Sequence, residues 1–141
     1  MAEPVSSIIT VVTVSLAIIR ETVNYIKEVR LVDRLVQDLL TELKELHRVI
    51  KVVESTYHGA DPGQENEPSV FVHRNLAKCK GRLEDVRSIV IELASRDTNT
   101  VFQKFVLKRQ SDAVKKDLER ATKDIHRYME HIRTGIQCWS L

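Results

Sequence analysis

Val5-Ser6-Ser7-Ile8-Ile9-Thr10-Val11-Val12-Thr13-Val14-Ser15-Leu16-Ala17-Ile18-Ile19 carries no charge, and whether it forms a strand or a helix decides the fold. Residues 8–14 are β-branched without a break, which favours a strand on propensity. The spacing of small and polar groups argues the other way. Ser6, Thr10, Thr13, Ala17, Arg20, Asn24 and Lys27 recur at alternating steps of three and four, tracing one helical stripe that continues past the uncharged run. Ile8, Val11, Val12, Ile18, Ile19 and Ile26 cover most of the remaining circumference. Pro4 suits a first helical turn, where its missing N–H costs nothing. The spacing therefore predicts a helix over residues 4–30. A helix so apolar is buried in protein or in lipid.

Working outward, residues 33–56 place Leu35, Leu39, Leu43, Leu46, Ile50 and Val53 on one face, with Gln37, Glu42, Lys44, Glu45, Arg48 and Lys51 elsewhere. Gly, Pro and acids then concentrate between His58 and Pro68, which reads as the main surface connection. Ser69 suits the N-cap of a third helix. Its face is Leu76, Cys79, Leu83, Val86, Val90 and Leu93, and it fades at Ser95-Arg96-Asp97. Thr100 and Gln103 have capping-box spacing for a short helix through Phe102 and Phe105. A last long helix over residues 111–134 carries Val114, Leu118, Ala121, Ile125, Tyr128 or Met129, and Ile132, with Gly135 as its expected stop.

The chain of 141 residues fits one domain spanning residues 1–141, long enough to bury a core without staples. Only 4 Gly and 3 Pro leave little material for turns, which disfavours a sandwich or barrel. The expected fold class is all-α: an antiparallel bundle of four long helices, with the short helix as an addition. Aromatics are 5% of the chain, so the core must be aliphatic. Cys79 and Cys138 sit in no metal-ligand spacing and read as a buried thiol and a tail thiol in a reducing compartment. Glu3, with no Lys or Arg before the apolar run, is the reverse of a secretory signal, so the expectation is a cytoplasmic protein at rest.

Chemistry is sparse in the sequence. It contains no glycine-rich phosphate loop, no His-Glu-x-x-His, no Cys-x-x-Cys and no Gly-x-Ser-x-Gly. His126 and His131 are five apart, on different helical faces rather than paired for a metal. The carboxylates each lie near a Lys or Arg, as on ion-paired helical surfaces. No enzyme, metal or cofactor is expected. Two basic clusters remain: His73, Arg74, Lys78, Lys80 and Arg82, and Lys104, Lys108, Arg109, Lys115 and Lys116. A net charge of +2 and the absence of a reader motif disfavour nucleic acid. Either cluster is a solvated face or a contact for anionic lipid, where each cation is worth about 1 kcal/mol. The uncharged run, about 15 residues, is shorter than the roughly 20 of a constitutive span. It reads as core or as a conditional membrane-active helix, for which several copies would be needed.

The opening Met1-Ala2-Glu3-Pro4-Val5-Ser6 with its β-branched run, Leu39-Leu40-Thr41-Glu42-Leu43 leading to Leu46, and Lys104-Phe105 followed by Asp117-Leu118-Glu119-Arg120-Ala121 carry a resemblance. Together they resemble the N-terminal domains of fungal NLR-like (STAND) receptors of the HeLo-like group, including the version named for an azaphilone-pigment-cluster protein. The resemblance implies a helical bundle similar to the four-helix executioner of necroptosis and to the coiled-coil domains of plant immune receptors. It implies the N-terminal domain of a longer receptor, in which oligomerisation frees the first helix to disrupt the plasma membrane and cause programmed cell death. By position, Glu3 and Val5, Ile8, Ile9, Val11, Val12, Val14, Leu16, Ile18 and Ile19 correspond to the membrane-targeting helix. Relatives often carry glycines there; this chain has none. The implied partners are further copies of the chain, anionic lipid after activation, and receptor partners or downstream domains. A second function stays open: a non-lytic interaction bundle that only assembles the receptor.

Overall fold

The computed structural model describes the backbone of residues 4–29, 34–58, 67–95 and 101–140, and the side chains of 8–28, 34–57, 69–93 and 113–138. Four helices account for the described backbone: α1 (Pro4–Val29), α2 (Arg34–His58), α3 (Glu67–Ser95) and α4 (Val101–Ser140). The β-branched run is helical. Its propensity for extended structure is outweighed because helical spacing gathers Ile8, Val12, Leu16, Ile19 and Ile26 on one buried face. Burying each such side chain stabilises the fold by about 1.5–3 kcal/mol.

The aliphatic faces of α2, α3 and α4 meet that of α1 in one core. Leu39, Leu43, Leu46, Ile50 and Val53 of α2 join Leu76, Cys79, Leu83, Val86 and Val90 of α3 and Leu118, Ala121, Ile125 and Ile132 of α4. Met129 is buried while Tyr128 only flanks the core, which resolves that choice in the last helix. Val36, Leu40, Val49, Tyr57 and Val72 extend the core beyond the expected faces.

Helices α3 and α4 differ from expectation at their ends. Helix α3 opens at Glu67, so Ser69 is a buried residue inside its first turn rather than a cap. Pro68 is tolerated because first-turn N–H groups have no intrahelical acceptor. Helix α4 is continuous from Val101 to Ser140, about 60 Å at 1.5 Å per residue, and absorbs both the separate short helix and the stop at Gly135. Ile136 packs on the core, so continuing the helix buries apolar surface that offsets the roughly 1 kcal/mol cost of a helical glycine.

Helix order around the bundle is not chain order. The extensive packing pairs are α3 with α4, α1 with α3, α1 with α2, and α2 with α4, giving a ring α1–α2–α4–α3. Helix α4 runs antiparallel to α3, since Arg82 meets Asp124 while Asn75 meets His131. It runs parallel to α2, since Glu42 meets His126 while Glu45 meets Arg133. The short link at 30–33 makes α1 antiparallel to α2, and therefore parallel to its neighbour α3. Consecutive helices alternate up and down, yet α2 and α3 stand at opposite corners.

Candidate functional site

Helix α1 has two unlike faces. Ile8, Val12, Leu16, Ile18 and Ile19 are buried, and Ile9 and Val11 pack partly against the core. Val14 is 37% exposed. Thr10, Thr13, Arg20, Asn24 and Lys27 are all exposed, so the polar stripe predicted by spacing is the solvent face. Glu3 and the side chain of Val5 lie outside the described residues.

Hydroxyls within this helix behave differently from one another. Thr13 donates to the Ile9 carbonyl at 2.9 Å, and the buried Thr22 donates to the Ile18 carbonyl at 2.7 Å. Ser15 is fully buried, and its Oγ has no hydrogen-bond partner among the described residues. Such an orphan costs about 1–3 kcal/mol. Sequence periodicity gave no warning of it, because Ser15 lies off the polar stripe and among aliphatic neighbours. The described charged tie from α1 to the rest is Glu21–Arg87, 3.1 Å, with Glu21 exposed and Arg87 half-buried. By length and composition Ile8–Glu28, 21 residues, is sufficient to cross a membrane, and eight of its residues are buried in the bundle. Length therefore does not exclude a span as the uncharged run alone suggested.

The two basic clusters do not act alike. Arg82 is committed to the fold: its guanidinium donates to Asp124 at 2.5 and 2.9 Å and to Asp85 at 3.0 Å, and these bonds raise its pKa further. Lys80 pairs with Glu84 at 3.6 Å. Arg74 and Lys78 are exposed and have no ion-pair partner among the described residues. In the second cluster Lys116 is exposed and Lys115 half-buried, while the side chains of Lys104, Lys108 and Arg109 lie outside the described residues. Because α3 and α4 are antiparallel, Lys115 and Lys116 sit near the C-terminal end of α3, whereas Arg74 and Lys78 sit near its start. These two pairs lie towards opposite ends of α3.

The histidines diverge as their spacing predicts. His126 Nδ1 lies 3.1 Å from Glu42 on α2, and His131 Nδ1 lies 3.1 Å from the Asn75 amide oxygen on α3. Phe71 stacks obliquely on His131, centroids 6.0 Å apart. Among the described residues no group of three or more His, Cys, Asp and Glu converges. Two open clefts lie on the α2·α4 seam, lined by Arg34, Asp38, Glu119 and Lys123 at one end and by Glu45, Val49, Val52 and Arg133 at the other. Comparison with protein-family models, curated proteins and solved structures returns no match.

Proposed function

We propose that this protein is a HeLo-like, membrane-targeting cell-death domain of a fungal NLR-like receptor. It rests in the cytoplasm as a bundle and acts at the plasma membrane through α1 when copies assemble. The observation that carries this reading is the character of α1. It has a span-length apolar helix whose aliphatic face is sheltered by α2 and α3 and whose polar stripe already meets water. Sheltering that face stores hydrophobic driving force; clustering supplies neighbours whose hydroxyls satisfy one another in lipid. The uncompensated Ser15 hydroxyl lowers the cost of leaving the bundle.

The alternative, a non-lytic oligomerisation bundle, draws on the exposed apolar side chains Val52, Val70, Phe71 and Ile91, which a partner chain would cover. Dye release from anionic vesicles separates the two. Val14→Glu is the informative variant, because its exposed site tolerates the charge in the resting fold whereas Val12 is fully buried. A carboxylate in the middle of a membrane helix costs about 3 kcal/mol. Val14→Glu should keep the helical circular-dichroism spectrum, cut dye release roughly 100-fold, and spare a fungal host expressing it. Undiminished release, or equal killing, removes α1 as the effector.

A further inference from the structure

The outer face of α3 near its start combines features found together nowhere else on the described surface. Val70 is 40% and Phe71 37% exposed, side by side, although both are large and apolar. One turn and two turns on, Arg74 and Lys78 project from the same face without a counter-charge among the described residues. From Ser69 to Leu83 the helix contains His73, Arg74, Lys78, Lys80 and Arg82 and not one acid. Among the described residues, the neighbouring helices do not compensate. The stretch of α1 from 8 to 19 is uncharged, and Glu130 of α4 is held by Arg133 at 2.7 Å. His131 flanks the patch through its contact with Phe71.

We infer that Val70, Phe71, Arg74 and Lys78 form a docking surface for an anionic lipid bilayer. The match is one of charge and shape: uncompensated cations beside apolar side chains on a convex helix face suit an interface of anionic headgroups over acyl chains. The two described clefts lie on the α2·α4 seam, away from this face. Its position gives it consequence. The Glu21–Arg87 pair fixes the register of the parallel helices α1 and α3, bringing residues 8–12 of α1 level with Arg74 and Lys78. Docking through this face sets the leading turns of α1 against the bilayer before any helix is released. The inference rests on the membrane-active reading and selects two cations from the two basic clusters.

Co-sedimentation of the full chain with phosphatidylserine–phosphatidylcholine vesicles tests the surface, with dye release read in the same tubes. Arg74→Gln/Lys78→Gln should weaken partitioning roughly 30-fold at low salt, and Phe71→Ser should weaken it at every salt concentration. All three positions are exposed, so the circular-dichroism spectrum should be unchanged. Lys115→Gln/Lys116→Gln, at the other end, should bind as the parent does. The inference is overturned if the first pair binds like the parent, if the second pair loses as much, or if pure phosphatidylcholine or soluble polyglutamate is bound as tightly. Dye release that survives loss of the patch would overturn the docking surface and leave the lytic reading standing. Patch-dependent binding without release would do the reverse.

Discussion

Cys79 and Cys138 show how burial sets side-chain chemistry. Burial pushes the Cys79 thiol up to about 12 from its ordinary 9.0, while Cys138 is exposed. A disulfide reagent should therefore label Cys138 at once and Cys79 only on unfolding. The same burial has a pH signature. Folded Cys79 keeps a proton that the unfolded chain releases above pH 9.0, so stability is intact below that value and declines as pH rises towards 12. The expected slope is about 1.4 kcal/mol per pH unit from this group. Tyr57, also pushed up to about 12 by burial, adds to the decline above pH 10. Urea unfolding of Cys79→Val at pH 8 and pH 10 should show a flatter dependence than the parent. An unchanged slope would mean the thiol is not shielded. Cys79 was legible as core from its helical register; the orphaned Ser15 was not, because nothing in the sequence tells whether a buried hydroxyl meets an acceptor.

Among the elements, α3 carries the plainest correctable weakness. Gly81 lies exposed in mid-helix, and a Cβ built there meets nothing within 4 Å. Gly81→Ala should therefore stabilise the protein by about 0.5–1 kcal/mol, mainly by restricting the unfolded chain. A calorimetric melting temperature that stays put or falls would show that the helix is not regular there. Helix existence and facing were readable because aliphatic periodicity is local: Leu39, Leu43, Leu46 and Ile50 declare one side of α2 unaided. Ends were less readable. Gly135 is a good stop signal in isolation, but Ile136 finds core to pack on, and that distant contact carries α4 onward.

For the whole molecule, polar ties across helices converge on α4. Asp124 receives Arg82 from α3, Glu45 pairs with Arg133, and Glu42 meets His126. The Arg82–Asp124 pair is the best sheltered, with exposures of 30% and 21%. Asp124→Ala should cost about 1.5–3 kcal/mol by denaturant unfolding, as expected for a charge-assisted hydrogen bond. Glu119→Ala, which removes only the exposed α4 pair with Lys123, should stay within about 0.5 kcal/mol. Equal effects would show that Arg82 transfers to Asp85 without loss. The ring order α1–α2–α4–α3 had no trace in the sequence, since four amphipathic helices can close a core in more than one cyclic order.

The sequence alone determined that the chain is helical, that its core is aliphatic, and that α1 has a small polar stripe opposite an isoleucine face. These follow from repeats of three and four residues and need no partner. Only the tertiary structure decided which like residues diverge in role. Arg74 and Arg82 read alike in one basic cluster, yet one is exposed without a counter-charge among the described residues and the other is clasped by Asp124. Val12 and Val14 stand in one apolar run, yet one is sealed in the core and the other meets water. Burial and pairing depend on groups far along the chain, and periodicity carries no information about which helix will stand next to which.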